Sequence, residues 1–153
     1  MFVSLLSTFA NLSPACPARY SMYAESCGRF CYRYESSACR TWDNARTVCQ
    51  QEGGDLLAPS VCNYEFLRMR ARQNEGICQT NFWLGARRPA GGNNMVTVLG
   101  EAIPNNANFW AGGQPDNADN VEQCMEMRKD FNSYLANDRS CAQSQGFICQ
   151  IRI

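Results

Sequence analysis

The chain contains no histidine among its 153 residues, and its 14 basic and 14 acidic side chains cancel to no net charge. Without imidazole the commonest general base and nucleophile activator is missing, which counts against hydrolytic and acyl-transfer chemistry. Without net or clustered positive charge there is no electrostatic footprint for nucleic acid or a membrane surface. No apolar run approaches the ~18 residues that span a bilayer. Internal repeats, linkers and low-complexity tracts are absent too. The length, with 45% apolar and 18% charged residues, fits one globular domain with an ordinary core. Asp130, Asp138 and Glu126 can be assembled into a carboxylate pair on paper, but their spacing does not describe a glycosidase cleft. The sequence does not read as an enzyme.

What is abundant is cysteine, ten in all. Zinc is a poor explanation, because there is no histidine and no pair of CxxC knuckles. An even count implies up to five disulfides, hence an oxidising compartment and a secreted, extracellular protein. Residues 1–15 read as an N-terminal segment ahead of a domain at 16–153. Phe2 to Ala10 is apolar and ends in small residues, like the tail of a signal-peptide core, although it lacks a basic start. A strand-forming or flexible N-terminus is the competing reading. Asn11-Leu12-Ser13 has the form of an N-glycosylation acceptor, with Pro14 directly after it.

Two helical patterns stand in the first half. From Thr41 to Gly54, Trp42, Ala45, Val48 and Cys49 recur on one face, and Gly53-Gly54 supplies a stop. From about Ser60 to Gln73, Tyr64, Leu67 and Ala71 form a stripe to be buried, with Arg68, Arg70 and Arg72 on the solvated side. Phe82 to Ala86 reads as a short buried strand, and Gln123 to Arg128 and Gly146 to Ile151 as closing strands. Between them, Arg87 to Ala118 is rich in Gly, Pro and Asn and reads as one long irregular region. Loops of that length inside a compact domain usually carry function.

Six segments in order resemble the C-type lectin domain family. They are Trp42-x-x-Ala45-x-x-x-Cys49, Gly53-Gly54-Asp55-Leu56-Leu57-Ala58 and Phe82-Trp83-Leu84-Gly85 in the first half. Trp110-Ala111-Gly112-Gly113-Gln114-Pro115-Asp116 with Glu122-x-Cys124, Asn137-Asp138-x-x-Cys141, and Phe147-Ile148-Cys149 follow. The match runs from about Cys16 to Ile151, and Gln114 to Cys149 is most similar to perlucin and related molluscan lectins. The resemblance implies an α+β fold: two helices packed on small antiparallel sheets, with a long irregular loop region and multiple disulfides. It implies Cys49–Cys149 and Cys124–Cys141 as core bridges. It also implies that Cys16, placed before a proline, bridges an N-terminal hairpin through either Cys27 or Cys31, leaving Cys39 for the other. Cys62 and Cys78 flank the second helix and pair if the chain doubles back there; alternatively, one of the extra cysteines joins two subunits.

By the same resemblance, Gln114, Asp116, Glu122, Asn137 and Asp138 correspond to the five side chains that bind calcium and sugar together in the family. Pro115 is expected to follow a cis bond. The chemistry is consistent: calcium takes six to eight oxygen ligands, and this set holds three carboxylates and two amide carbonyls. In the family, Gln-Pro-Asp accompanies galactose-type ligands, so terminal galactose or N-acetylgalactosamine is the expected partner. Two departures are visible. No aromatic residue follows the motif to stack on a sugar, leaving Phe131 and Tyr134 as the nearest rings, with core packing as the competing role for both. Ala136 stands where the family has tryptophan, an expected loosening of the loop. Asn94, Asn105, Asn106, Asn108, Asp119 and Asn120 are loop residues with oxygen to spare for an auxiliary calcium. Weak single sites call for a homodimer or larger oligomer. The rival readings are a calcium-independent lectin of the same fold and a shell-matrix, biomineralisation protein.

Overall fold

The computed structural model describes residues 14–78 and 80–153; the signal-like stretch and the acceptor at Asn11 lie outside the described residues. The chain opens with a hairpin of β1 (Ser21–Glu25) and the long β2 (Gly28–Arg40). Tyr23 and Phe30, opposite each other in the register, stack at 4.4 Å. Helix α1 (Trp42–Gln51) buries Trp42, Ala45 and Cys49, the predicted face, and Gly53 at φ +89° ends it in the left-handed conformation.

Strand β3 (Asp55–Leu56) leads to α2 (Tyr64–Ala71), which continues as a 3-10 turn to Asn74. The predicted stripe Tyr64, Leu67 and Ala71 is buried, but the helix starts four residues later than Ser60. The backbone N–H of Ser60 donates to Asn63 Oδ1 at 2.8 Å, and the N–H of Asn63 donates to Ser60 Oγ at 3.1 Å. With Tyr64 N–H donating to the Ser60 carbonyl at 3.0 Å, this reciprocal pair has the geometry of a capping box and leads the chain into the helix from Ser60. Of the arginines, Arg68 bonds Glu65 and Ser133, and Arg70 lies over the Phe66 ring at 4.9 Å.

The remaining strands are β4 (Phe82–Arg87), β5 (Met95–Thr97), β6 (Ala102–Ile103), β7 (Cys124–Asp130), β8 (Ser133–Arg139) and β9 (Gln145–Arg152). The expected set of small antiparallel sheets is instead one nine-stranded mixed sheet, because β4 and β9 run parallel, with Phe82 opposite Gly146 and Trp83 opposite Phe147. Gly146 permits β4 and β2 to flank β9 closely: a Cβ there would sit 3.0 Å from Phe82 Cδ1 on β4 and 2.7 Å from the Glu35 carbonyl oxygen on β2. Strands β5 and β6 lie within the stretch read as irregular, and β8 was not foreseen at all.

Two apolar clusters fill the interior. One gathers α2, β4, β7 and β8 around Leu67, Leu84 and Met127; the other gathers α1 around Trp42, Trp83 and Phe147.

All ten cysteines pair within the chain, as Cys16–Cys31, Cys27–Cys62, Cys39–Cys78, Cys49–Cys149 and Cys124–Cys141. The pairings Cys62–Cys78 and Cys39 with the hairpin do not occur. Helix α2 and its 3-10 extension hold Cys62 and Cys78 apart by about 18 Å, and a disulfide needs Cα atoms within ~7 Å. Instead Cys27 at the tip of the β1–β2 hairpin and Cys39 near the far end of β2 staple the two ends of that helical segment. No cysteine is free, so none is left to join two subunits. Closing 100 residues, Cys49–Cys149 removes about 4–5 kcal/mol of chain entropy from the unfolded state.

Candidate metal centre

The long loop reaches its place by backbone bonds to β8. Ala136 N–H donates to the Phe109 carbonyl and Ala111 N–H to the Ala136 carbonyl, both at 2.9 Å. Trp110 Nε1 is anchored on the Pro104 carbonyl at 3.0 Å. The loop is therefore pinned to the backbone of Ala136. Gln114 N–H then bonds the Ala111 carbonyl, and the Gln114–Pro115 peptide is cis. Asn117, Asp119 and Asn120 all have positive φ, which short Asn and Asp side chains tolerate better than most residues. Asn117 Oδ1 accepts from Glu122 N–H and Gln123 Nε2, tying the turn to the base of β7.

This path brings Asp116, Glu122 and Asp138 together, with one carboxylate oxygen of each within 4.8 Å of the others. Asp116 is exposed, Glu122 half-buried and Asp138 fully buried. Glu122 is held above the usual carboxylate range, first by burial and then by the charge of Asp138. No second grouping of three such ligands occurs among the described residues.

Asp138 is the hub. Its Oδ1 accepts Asp116 N–H at 3.1 Å; its Oδ2 accepts Asn117 N–H at 2.7 Å and Arg88 Nη2 at 3.0 Å. With two lone pairs per oxygen, Oδ2 is saturated and Oδ1 keeps one pair free. Gln114 Oε1 is buried with no hydrogen-bond partner, an uncommon condition for a native carbonyl. Three carboxylates and one unsatisfied amide oxygen are hard donors of the kind calcium takes, so the residues fit that ion.

Asn137 stands differently. Alternation along β8 sends it to the face opposite Asp138, and its Nδ2 donates to Glu126 Oε1, its ladder neighbour, at 2.8 Å. With that nitrogen engaged, the amide's remaining acceptor is its oxygen. Glu126 is fully buried, its Oε2 has no partner, and burial raises its pKa.

Neither ring considered for sugar stacking belongs to this place. Tyr134 is buried, and its hydroxyl donates to Glu75. Phe131 is 94% exposed in the β7–β8 turn, so it does not pack in the core. It lies beyond Ser133, itself five residues along β8 from Asp138, or about 17 Å.

Sequence reasoning missed Arg88, buried directly after β4 and bonded to Asp138 and to the Glu122 carbonyl. Fifty positions separate it from Asp138, and no local pattern marks it.

The Lectin C-type domain family matches residues 38–151, and the chain belongs to that carbohydrate-binding family. C-type lectin 37Db of Drosophila melanogaster is 31% identical over 120 residues, covering 77% of this chain and 75% of that protein. Perlucin of Haliotis laevigata is 40% identical over 75 residues, 46% of this chain and 44% of perlucin, so the match spans less than half of either. The solved structure of C-type lectin CEL-I from Cucumaria echinata superposes with a TM-score of 0.72 at 25% identity, covering 90% and 97% of the two chains. No helix among the described residues is long and apolar enough to cross a membrane.

Proposed function

We propose that the chain is a secreted, calcium-dependent lectin that reads terminal galactose or N-acetylgalactosamine. The observation that carries this reading is the convergence of Asp116, Glu122 and Asp138 beside the buried, unpartnered Gln114 Oε1. Asp116, Glu122 and the free lone pair of Asp138 Oδ1 would hold the ion, with Gln114 Oε1 as an amide ligand; Asn137, bonded to Glu126 on the opposite face of β8, would join them only by turning its amide toward the loop. Calcium, when bound, would supply a centre on which two vicinal sugar hydroxyls complete the shell. Asp116 and Glu122 would accept hydrogen bonds from the hydroxyls, while the Gln114 NH₂ group would donate to a hydroxyl oxygen. The sequence order Gln114-Pro115-Asp116 sets which side donates and which accepts, and supports the galactose-type choice. The site is shallow and Asp116 is exposed, so single-site affinity belongs near the millimolar end of the scale. Useful avidity then requires a homodimer or larger assembly, held without disulfides because every cysteine is used within the chain.

A calcium-independent lectin is the second reading, and the Arg88–Asp138 ion pair favours it: one ligand already has a cation. A shell-matrix role is supported only by the partial likeness to perlucin.

A glycan array probed with calcium and then with EDTA separates these readings. Calcium-dependent binding competed by galactose and N-acetylgalactosamine is the expected result. Competition by mannose instead overturns the sugar choice, and binding that survives EDTA overturns the calcium mechanism.

A further inference from the structure

Arg88 occupies a place in the site that no sugar or metal chemistry requires of it. Its side chain is only 7% exposed, yet it lies in the segment that follows β4 and makes no apolar packing its reason for burial. Its guanidinium spans two directions. Nη2 bonds Asp138 Oδ2 on β8 at 3.0 Å, and Nη1 bonds the backbone carbonyl of Glu122 at the base of β7. Its own N–H donates to the Gln123 carbonyl at 2.7 Å. One residue thus ties together the end of β4, the foot of the long loop and the fully buried ligand carboxylate. The backbone of Asp116 and Asn117 hangs on that same carboxylate.

We infer that Arg88 is the resident cation of this site: it takes, at Asp138, the electrostatic place of a metal ion and keeps the loop assembled when calcium is absent. Resting on the calcium reading above, it also sets calcium affinity. Asp138 is fully buried against Arg88, and breaking a buried pair by deleting one member is strongly destabilising. With Asp138 paired to Arg88, the cluster of three carboxylates keeps a net two negative charges for a dication. A positive charge so near the ion opposes its entry, while the preassembled loop spares the ion the work of ordering it. Arg88 is a positioning residue; Oδ2 is occupied by it, and Oδ1 is what it leaves open.

The test compares wild type with Arg88→Gln and Arg88→Lys by thermal melting in EDTA and in saturating calcium chloride, and by calorimetric titration with calcium chloride. Arg88→Gln should melt well below wild type in EDTA and regain most of the loss in calcium. Its calcium dissociation constant should fall on the order of tenfold, because the repelling charge is gone. Arg88→Lys keeps the charge without the fork, so its calcium constant should stay near wild type while its EDTA melting point drops part-way. An unchanged EDTA melting point for Arg88→Gln overturns the inference, and so does unchanged or weaker calcium binding in a chain that binds it. If neither wild type nor Arg88→Gln takes calcium, the lectin reading fails, and the EDTA melting point alone decides for or against Arg88. Should Arg88→Gln not fold, Arg88→Lys carries both readouts.

Discussion

Among the described residues two arginines are buried, Arg33 and Arg88, and they end in different chemistry. Arg33 grips Glu52 with Nε at 2.8 Å and Nη2 at 2.6 Å, reaches Glu35 with Nη1 at 3.1 Å, and lies over the rings of Tyr20 and Phe147. Arg19 adds a second guanidinium at Glu35. Two carboxylates meet two cations, and the Tyr20 hydroxyl also bonds Glu52. Burial first, then that carboxylate, pushes Tyr20 up to about 12. The cluster is balanced and closed. Arg88 pairs with Asp138 alone, and Asp138 clusters with two further carboxylates, Asp116 and Glu122, in a loop that also holds the unpartnered Gln114 Oε1. The same side chain makes a clamp where charges cancel and a receptive site where they do not.

The comparison can be broken most forcefully at Asp138. Asp138→Ala strands the Arg88 charge in the interior and frees the N–H groups of Asp116 and Asn117. Urea denaturation should show a loss of about 3–5 kcal/mol, and calcium titration should show no binding. Arg33→Met is the contrasting cut. Glu52 is part-exposed and can rehydrate, so a loss of about 2–3 kcal/mol is expected, with the calcium isotherm unchanged. If that variant loses calcium binding, the two clusters are not independent and the contrast fails.

A milder test uses pH. Glu52 lies below the 4.5 of a free glutamate because of its bond from Arg33. Glu35 also lies below it, since bonds from Ser37 and Arg33 outweigh burial. Carboxylates depressed in the folded state stabilise it fully above the unfolded value, and that stability is lost as pH falls through the folded one. Melting in EDTA from about pH 6 to about pH 3 should therefore be flat at first and decline below about 4.5. Glu52→Gln should flatten the decline by about 1–3 kcal/mol. An equal decline in the variant would assign the acid sensitivity to other groups.

How much of this could be read in the sequence depends on how local each cause is. Trp42, Ala45 and Cys49 sit one helical turn apart, so α1 was legible, and Tyr64, Leu67 and Ala71 gave the face of α2 in the same way. The start of α2 near Ser60 corresponds to the cap that Ser60 and Asn63 close one turn ahead of the regular helix at Tyr64, a polar feature that periodicity alone does not register. Asp116 and Glu122, six residues apart, are named with Gln114, Asn137 and Asp138 only through the family resemblance. The same resemblance implies the core bridges Cys49–Cys149 and Cys124–Cys141, which are present, and Cys16–Cys31 is one of its two alternatives. Cys27–Cys62 and Cys39–Cys78 are not legible, since those cysteines meet only once β2 and α2 are laid side by side. Phe131 was taken for a core residue on its chemistry, whereas a turn with positive φ holds it in solvent. Arg88 is the extreme case: a surface-type residue whose burial follows from a partner fifty positions away.

The cross-link between Cys49 and Cys149 has a further consequence for endurance outside a cell. It alone joins residues before the long loop to residues after it, because the other four bridges close within one side or the other. A protease that nicks the chain anywhere between Arg88 and Gln123 therefore cuts the segment that carries Asp116 and Glu122 but releases no fragment. The two halves of the cut chain stay tethered through one sulfur–sulfur bond.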